Sequence, residues 1–92
     1  MDQKIVEMRA IVRGKVQGVF FRDATRRFAR ELELTGTVRN CNDLSVEIVA
    51  QGPKVQLEAL LGRLEEEGPG SISFIERDFH DPTSTFDSFD II

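Results

Sequence analysis

Tryptophan and tyrosine are absent from this 92-residue chain, cysteine and histidine occur once each, and proline only three times. Each shortage excludes something. A lone Cys41 forms no internal disulfide, and with only the distant His80 beside it no zinc site is assembled. The low proline count, together with 40% hydrophobic and 30% charged residues, is the composition of a folded globular chain. No apolar run reaches the ~18 residues of a membrane helix. The start, Met1-Asp2-Gln3-Lys4, has neither the basic nor the apolar region of a secretory signal, so a cytoplasmic location is expected. The length matches one domain over residues 1–92.

Positive charge is also scarce overall. The net charge of −4 disfavours a general binder of nucleic acid or anionic membrane. The average hides an asymmetry: residues 1–40 hold nine basic and five acidic side chains, the remainder three basic and eleven acidic. An acidic body with one local basic region suits a small anion, although a solvated charged surface has the same counts.

Hydrophobic spacing then orders the elements. Val6, Met8, Ala10 and Val12 alternate with Glu7, Arg9 and Arg13, the period of a half-buried strand, until Gly14 interrupts it. Over residues 22–33, Ala24, Phe28, Ala29 and Leu32 form a helical stripe, with Asp23 and Arg30 placed to suit the helix dipole. Thr35 to Asn40 reads as a strand, Asn42-Asp43 as a turn, and Leu44 to Gln51 as the returning strand. Gly52-Pro53 opens a second helix carrying Leu57, Leu60, Leu61 and Leu64, and Gly68-Pro69-Gly70 ends it. Residues 72–79 form a fourth strand whose core face is ambiguous between Ile72/Phe74 and Ile75/Phe79. A loop over 80–85 and a short strand over 86–92 close the chain. Strand-helix-strand twice over predicts an α+β, ferredoxin-like split βαβ sandwich, an antiparallel sheet with two helices on one face.

The segment Gly14-Lys15-Val16-Gln17-Gly18-Val19-Phe20-Phe21-Arg22 joins a strand end, two glycines and a helix start. Amides in a glycine-permitted turn converge on one point, the helix start adds unpaired N–H groups, and Arg22 adds a bidentate fork. A phosphate dianion fits that donor set. The spelling is neither a nucleotide P-loop nor a dinucleotide fingerprint, and by spacing alone a plain structural turn accounts for it equally well. In a split βαβ unit, strands one and two run parallel with strand three between them. Asn40 therefore ends strand two at the sheet edge that carries the loop, where its amide both donates to and accepts from a water. An ordinary turn asparagine explains Asn40 as well.

These residues carry a resemblance: Gly-x-Val-Gln-Gly-Val-x-Phe-Arg at 14–22, Thr-Gly-x-Val-x-Asn at 35–40, Ser-Val-Glu at 45–47, a Gly-Pro near the end of helix two and Phe-x-Ile at 89–91. The chain resembles the acylphosphatase family over nearly its whole length. That resemblance implies hydrolysis of acyl phosphates to carboxylate and inorganic phosphate without cofactor or metal. It places the phosphate-binding loop on Lys15, Val16, Gln17, Gly18, Val19, Phe20 and Phe21, the catalytic arginine on Arg22 and the water-orienting asparagine on Asn40. Its expected partners are a small-molecule acyl phosphate and inorganic phosphate, as product and inhibitor, with no nucleic acid or membrane and a monomeric state. Two positions depart from the family's usual residues. Thr37 stands where Trp is common, and Asp43-Leu44 where Asp-Gly is common. If the turn needs a left-handed residue at 44, leucine costs about 1–2 kcal/mol there or forces another turn that displaces Asn40.

Other residues have plainer expectations. His80 reads as a surface histidine, Cys41 as a small turn-flanking residue with no base beside it, and Phe20-Phe21 as a core plug beneath the loop. An RNA-recognition module shares the element order, but residues 45–50 offer no aromatic for base stacking. The stronger alternative is a non-catalytic acylphosphatase-like module that binds phosphate or carbamoyl phosphate, against which the free-standing length favours the enzyme.

Overall fold

A computed structural model describes residues 3–92. The elements run β1 (Ile5–Lys15), α1 (Phe21–Glu31), β2 (Thr35–Asn40), β3 (Val46–Pro53), α2 (Lys54–Glu67), β4 (Ser71–His80) and β5 (Phe89–Ile91). The sheet order is β4-β1-β3-β2-β5. The pairs β1–β3, β1–β4 and β2–β3 are antiparallel, which makes β1 and β2 parallel to each other on either side of β3. This is the expected ferredoxin-like α+β arrangement with one addition. The closing strand is only three residues long and joins β2 in parallel, so the sheet is mixed.

Both helices pack on one face. Met8, Ala10 and Val12 of β1, Val38 of β2, Val46, Ile48 and Ala50 of β3, and Phe89 of β5 meet Phe21, Ala24, Phe28 and Ala29 of α1 and the four predicted leucines of α2 in one buried core. No helix among the described residues is long and apolar enough to cross a membrane.

Backbone geometry moves several boundaries from their sequence-based positions. β1 continues past Gly14 to Lys15 because the ladder with β4 absorbs a bulge at Arg13/Gly14 instead of breaking. A side chain at Gly14, where φ is 136°, would collide with the Ser71 carbonyl, so only glycine lets the strands stay paired. The bulge also settles which face of β4 is inward. It skips a residue between the partners of Arg13 and Gly14, Phe74 and Ile72, so that Ile72, Ile75 and Phe79 all pack against the core and Phe74 is exposed. Helix α1 stops at Glu31 because Glu33 turns left-handed, which brings the Leu34 N–H to the Ala29 carbonyl at 2.9 Å. β3 starts at Val46, because Leu44 sits at φ 74° in the preceding turn and cannot join a strand.

His80 is not a free surface residue. It ends β4, and its Nε2 lies 2.9 Å from Oε2 of Glu7, a carboxylate buried on the sheet face away from the helices. The segment after β4 crosses that face: Thr83 donates to Glu7 through N–H and hydroxyl, and Gln51 donates both to Glu7 and to the Ser84 carbonyl, each at 2.8 Å. Burial alone would raise the Glu7 carboxyl, but these donors and His80 outweigh it and hold the group below its ordinary value.

Candidate active site

The helix-side face of the sheet presents one of the sequence-predicted groups, Asn40. Strand alternation puts Asn40 on the side of buried Gly36 and Val38, and Thr37 on the opposite side. The unusual Thr37 is therefore directed away from the loop between β1 and α1. Asn40 keeps its ladder position opposite Val46, and its Oδ1 is buried without a hydrogen-bond donor from the protein. A buried acceptor of this kind costs roughly 1–3 kcal/mol unless it is satisfied, and a water is the natural donor.

The β2–β3 turn keeps its left-handed position despite the leucine. Leu44 adopts φ 74° and is 70% exposed. Hydrogen bonds from Cys41 N–H to the Ser45 carbonyl (2.8 Å) and from Leu44 N–H to the Cys41 carbonyl (3.2 Å) close the turn. Asp43 accepts from the Ser45 N–H at 3.1 Å and from the Ser45 hydroxyl, and forms an ion pair with Arg13 at 2.9 Å. The Ser45 hydroxyl, then Arg13, hold its carboxyl far below the usual range. Asn40 is thus not displaced by the substitution at 44.

The loop is tied to this turn by a contact that sequence spacing did not reveal. Gln17 Nε2 donates to the Cys41 and Ser45 carbonyls, both at 2.9 Å. Gln17 therefore serves through its side chain as a strap between loop and strand end. The only sequence signal is a long amide flanked by Val16 and Gly18.

Each remaining loop residue has a distinct place. Lys15 is exposed at the end of β1, opposite Ser71. Val16 is buried, and Val19 packs partly against the core. Gly18 at φ 74° and Phe20 at φ 65° alternate left-handed positions within the loop, the pattern that turns successive N–H groups toward one concavity. Phe20 is the residue preceding α1, and the first N–H to bond back into the helix is that of Ala24, to the Phe20 carbonyl at 3.1 Å. The amides of Phe21, Arg22 and Asp23 remain open at the positive end of the helix dipole.

The expected Phe20-Phe21 plug is half correct. Phe21 is buried in the core, whereas Phe20 is 79% exposed because its left-handed backbone swings the ring outward. A bulky residue in that region costs about 1–2 kcal/mol.

A cavity of about 320 Å³ is lined by Val16, Gly18, Phe20, Phe21, Arg22, Asp23 and Ile91. Arg22, like Arg27 and Arg77, has no carboxylate partner among the described residues, whereas Arg9, Arg13, Arg26, Arg30, Arg39 and Arg63 are paired; of the unpaired three, only Arg22 lines this cavity. Asp23, the acid nearest to it in sequence, is 3.1 Å from Arg26. The cavity therefore joins an uncommitted guanidinium to open main-chain donors. No group of three His, Cys, Asp or Glu side chains that could hold a metal ion occurs among the described residues.

Comparison with known proteins identifies the family. The family model described as "Acylphosphatase" matches residues 8–91. The chain is 43% identical over 88 residues to an acylphosphatase of Arthrobacter sp. (strain FB24), covering 95% of this chain and 81% of the relative. It is 40% identical over 93 residues to one of Paenarthrobacter aurescens (strain TC1), covering 100% and 99%. The structure of an acylphosphatase from Coxiella burnetii superposes with a TM-score of 0.87 at 35% identity, covering all of both chains. On the family match over residues 8–91 and these relatives, this chain belongs to the acylphosphatase family.

Proposed function

We propose that this chain, acting as one unit over residues 1–92, hydrolyses acyl phosphates to carboxylate and inorganic phosphate, with the amides of residues 15–21 and Arg22 holding the phosphoryl group and Asn40 orienting water. The observation that carries the reading is Arg22, unpaired in a cavity built from a left-handed loop and the open N-terminus of α1. Each charge-assisted hydrogen bond contributes roughly 1.5–3 kcal/mol, so a handful of amides and one guanidinium suffice to seat a dianion.

The substrate explains why so few groups are needed. The leaving carboxylate has a conjugate acid with a pKa of about 4 and departs without a general acid. With a loose phosphoryl-transfer transition state, catalysis is mainly the holding of phosphoryl oxygens and placement of the nucleophile in line. The buried Asn40 Oδ1 accepts from the attacking water, whose proton passes to a phosphoryl oxygen. A phosphate monoester expels an alkoxide and demands help this site lacks, so activated mixed anhydrides are the substrate class. Inorganic phosphate leaves the same seat and inhibits by returning to it, and the protein works as a monomer.

Arg22→Ala tests the reading. Loss of one donor to developing charge should lower turnover at least ~10²–10³-fold while far-UV circular dichroism stays unchanged. Near-normal hydrolysis by the folded variant would falsify the assignment.

A further inference from the structure

Phe20 poses a problem that the phosphate seat leaves unsolved. The seat needs the backbone at position 20 to be left-handed, at φ 65°, and glycine or asparagine would meet that need at less cost than phenylalanine. The ring is instead held out in solvent, 79% exposed, where an aromatic surface gains nothing from folding. Strained residues cluster at functional sites, and this one precedes the helix that begins with Phe21 and Arg22.

Its location indicates a use. Phe20 lines both the cavity that holds Arg22 and an adjoining open groove of about 960 Å³ along α1. A substrate whose phosphoryl end sits on the amides and Arg22 must extend its acyl end away from them. Of the two aromatic residues lining the cavity, Phe21 is buried and only Phe20 offers a ring face. Ile91, partly buried on β5, is the other apolar side chain within reach of that end. Charge along the groove is mixed, with Arg26, Arg27 and Arg30 against Asp23, Glu31 and Glu67, and Asp23 is paired to Arg26, so charge there selects no acyl group. An apolar or aromatic acyl group would meet the ring.

We infer that Phe20 is the acyl-recognition residue of this site, and that it gives the enzyme a preference for aryl and other apolar acyl phosphates over acetyl phosphate. The inference rests on the hydrolase reading above, and the test separates the two. The ratio of kcat/KM for benzoyl phosphate to that for acetyl phosphate is measured for wild type, Phe20→Ala, Phe20→Leu and Phe20→Tyr. Both substrates carry the same phosphoryl group, so a disturbance of the phosphate seat lowers both rates together and leaves the ratio alone. Loss of the ring should lower the ratio roughly fivefold to tenfold in Phe20→Ala, less in Phe20→Leu, and leave it near wild type in Phe20→Tyr. Phe20→Leu carries the test if the alanine variant does not fold. A wild-type ratio in Phe20→Ala or Phe20→Leu, or an equal loss on both substrates, overturns the inference while the hydrolase reading stands. A wild-type protein inert toward both substrates sinks the two together.

Discussion

Replacing Leu44 by glycine should make the protein more stable. Leu44 is the one residue of the β2–β3 turn held at positive φ, 74°, and its side chain is 70% exposed. A left-handed backbone costs a residue with a Cβ about 1–2 kcal/mol, and glycine is released from it. Against this, glycine surrenders more chain freedom on folding, about 0.5–1 kcal/mol. The net expectation is a gain of about 0.5–1 kcal/mol, which for a domain of this size raises the melting temperature by about 2–8 °C. The hydrogen bonds of the turn come from main chain, Asp43, Ser45 and Gln17, so all survive the substitution. Scanning calorimetry at neutral pH measures the change, and a raised urea midpoint at unchanged slope confirms that stability itself has changed. Leu44→Ala is the control, since it keeps the strain and sheds the side chain, and it should be no more stable than wild type. A Leu44→Gly protein that melts at or below wild type refutes the reasoning, because it would mean that the leucine side chain holds the turn more strongly than its backbone strains it.

Asn40→Ala should lose hydrolysis rate roughly 10²-fold yet retain inhibition by inorganic phosphate, because the side chain is assigned to the water and not to the phosphoryl oxygens. Should phosphate inhibition vanish with the rate, Asn40 belongs to the seat instead. Glu7→Gln should cost about 1.5–3 kcal/mol at neutral pH, since a charged acceptor of three protein donors and a neighbour of His80 is lost, as read by urea unfolding. The Glu7 carboxyl lies below its usual value in the folded state, so its stabilisation is complete above the unfolded value of about 4.3 and fades as pH falls through the folded one. Glu7→Gln should therefore flatten the acid limb of the stability profile, and an unchanged limb would show that other carboxylates set it. Exhaustive chelation should leave turnover unaltered, and a loss reversed by added metal would reveal a cation in the reaction.

Period-two and period-3.6 patterning made the strands, helices and their faces legible, because Met8, Ala10 and Val12, or Leu57, Leu60, Leu61 and Leu64, can be buried together only one way. What escaped the pattern was set by single backbone events. The bulge at Arg13/Gly14 flips the facing of β4 midway, so no uniform alternation could have assigned both Ile72 and Ile75 to the core. The buried state of Glu7 depends on a tail that crosses the sheet some 76 residues later in the chain, a contact with no local trace. Of the site, the glycines, Arg22 and Asn40 are visible as residue types at a strand–helix junction and a strand end. Gln17 and Phe20 are placed on the loop by the resemblance, but their side-chain placement is not legible, since one bonds to long-range carbonyls and the other faces outward where an aromatic pair reads as core.

The two faces of the sheet divide the work in a way that accounts for the tolerated departures. Thr37 and the Arg9–Glu47–Arg39 ion pairs lie on the face away from the helices, and Leu44 alters only the exposed tip of a turn. The elements that aim the donors are elsewhere: the bulge that carries β1 to Lys15, the left-handed pair Gly18 and Phe20, the first turn of α1, and Gln17 clamped on the carbonyls beside Asn40. All are main-chain geometry or bonds to main chain. A site whose dipoles are fixed by the sheet and helix needs little reorganisation when charge develops on the phosphoryl oxygens, which is the condition under which fixed dipoles stabilise a transition state most. In the proposed mechanism one arginine is therefore enough, because the backbone supplies the rest of the field.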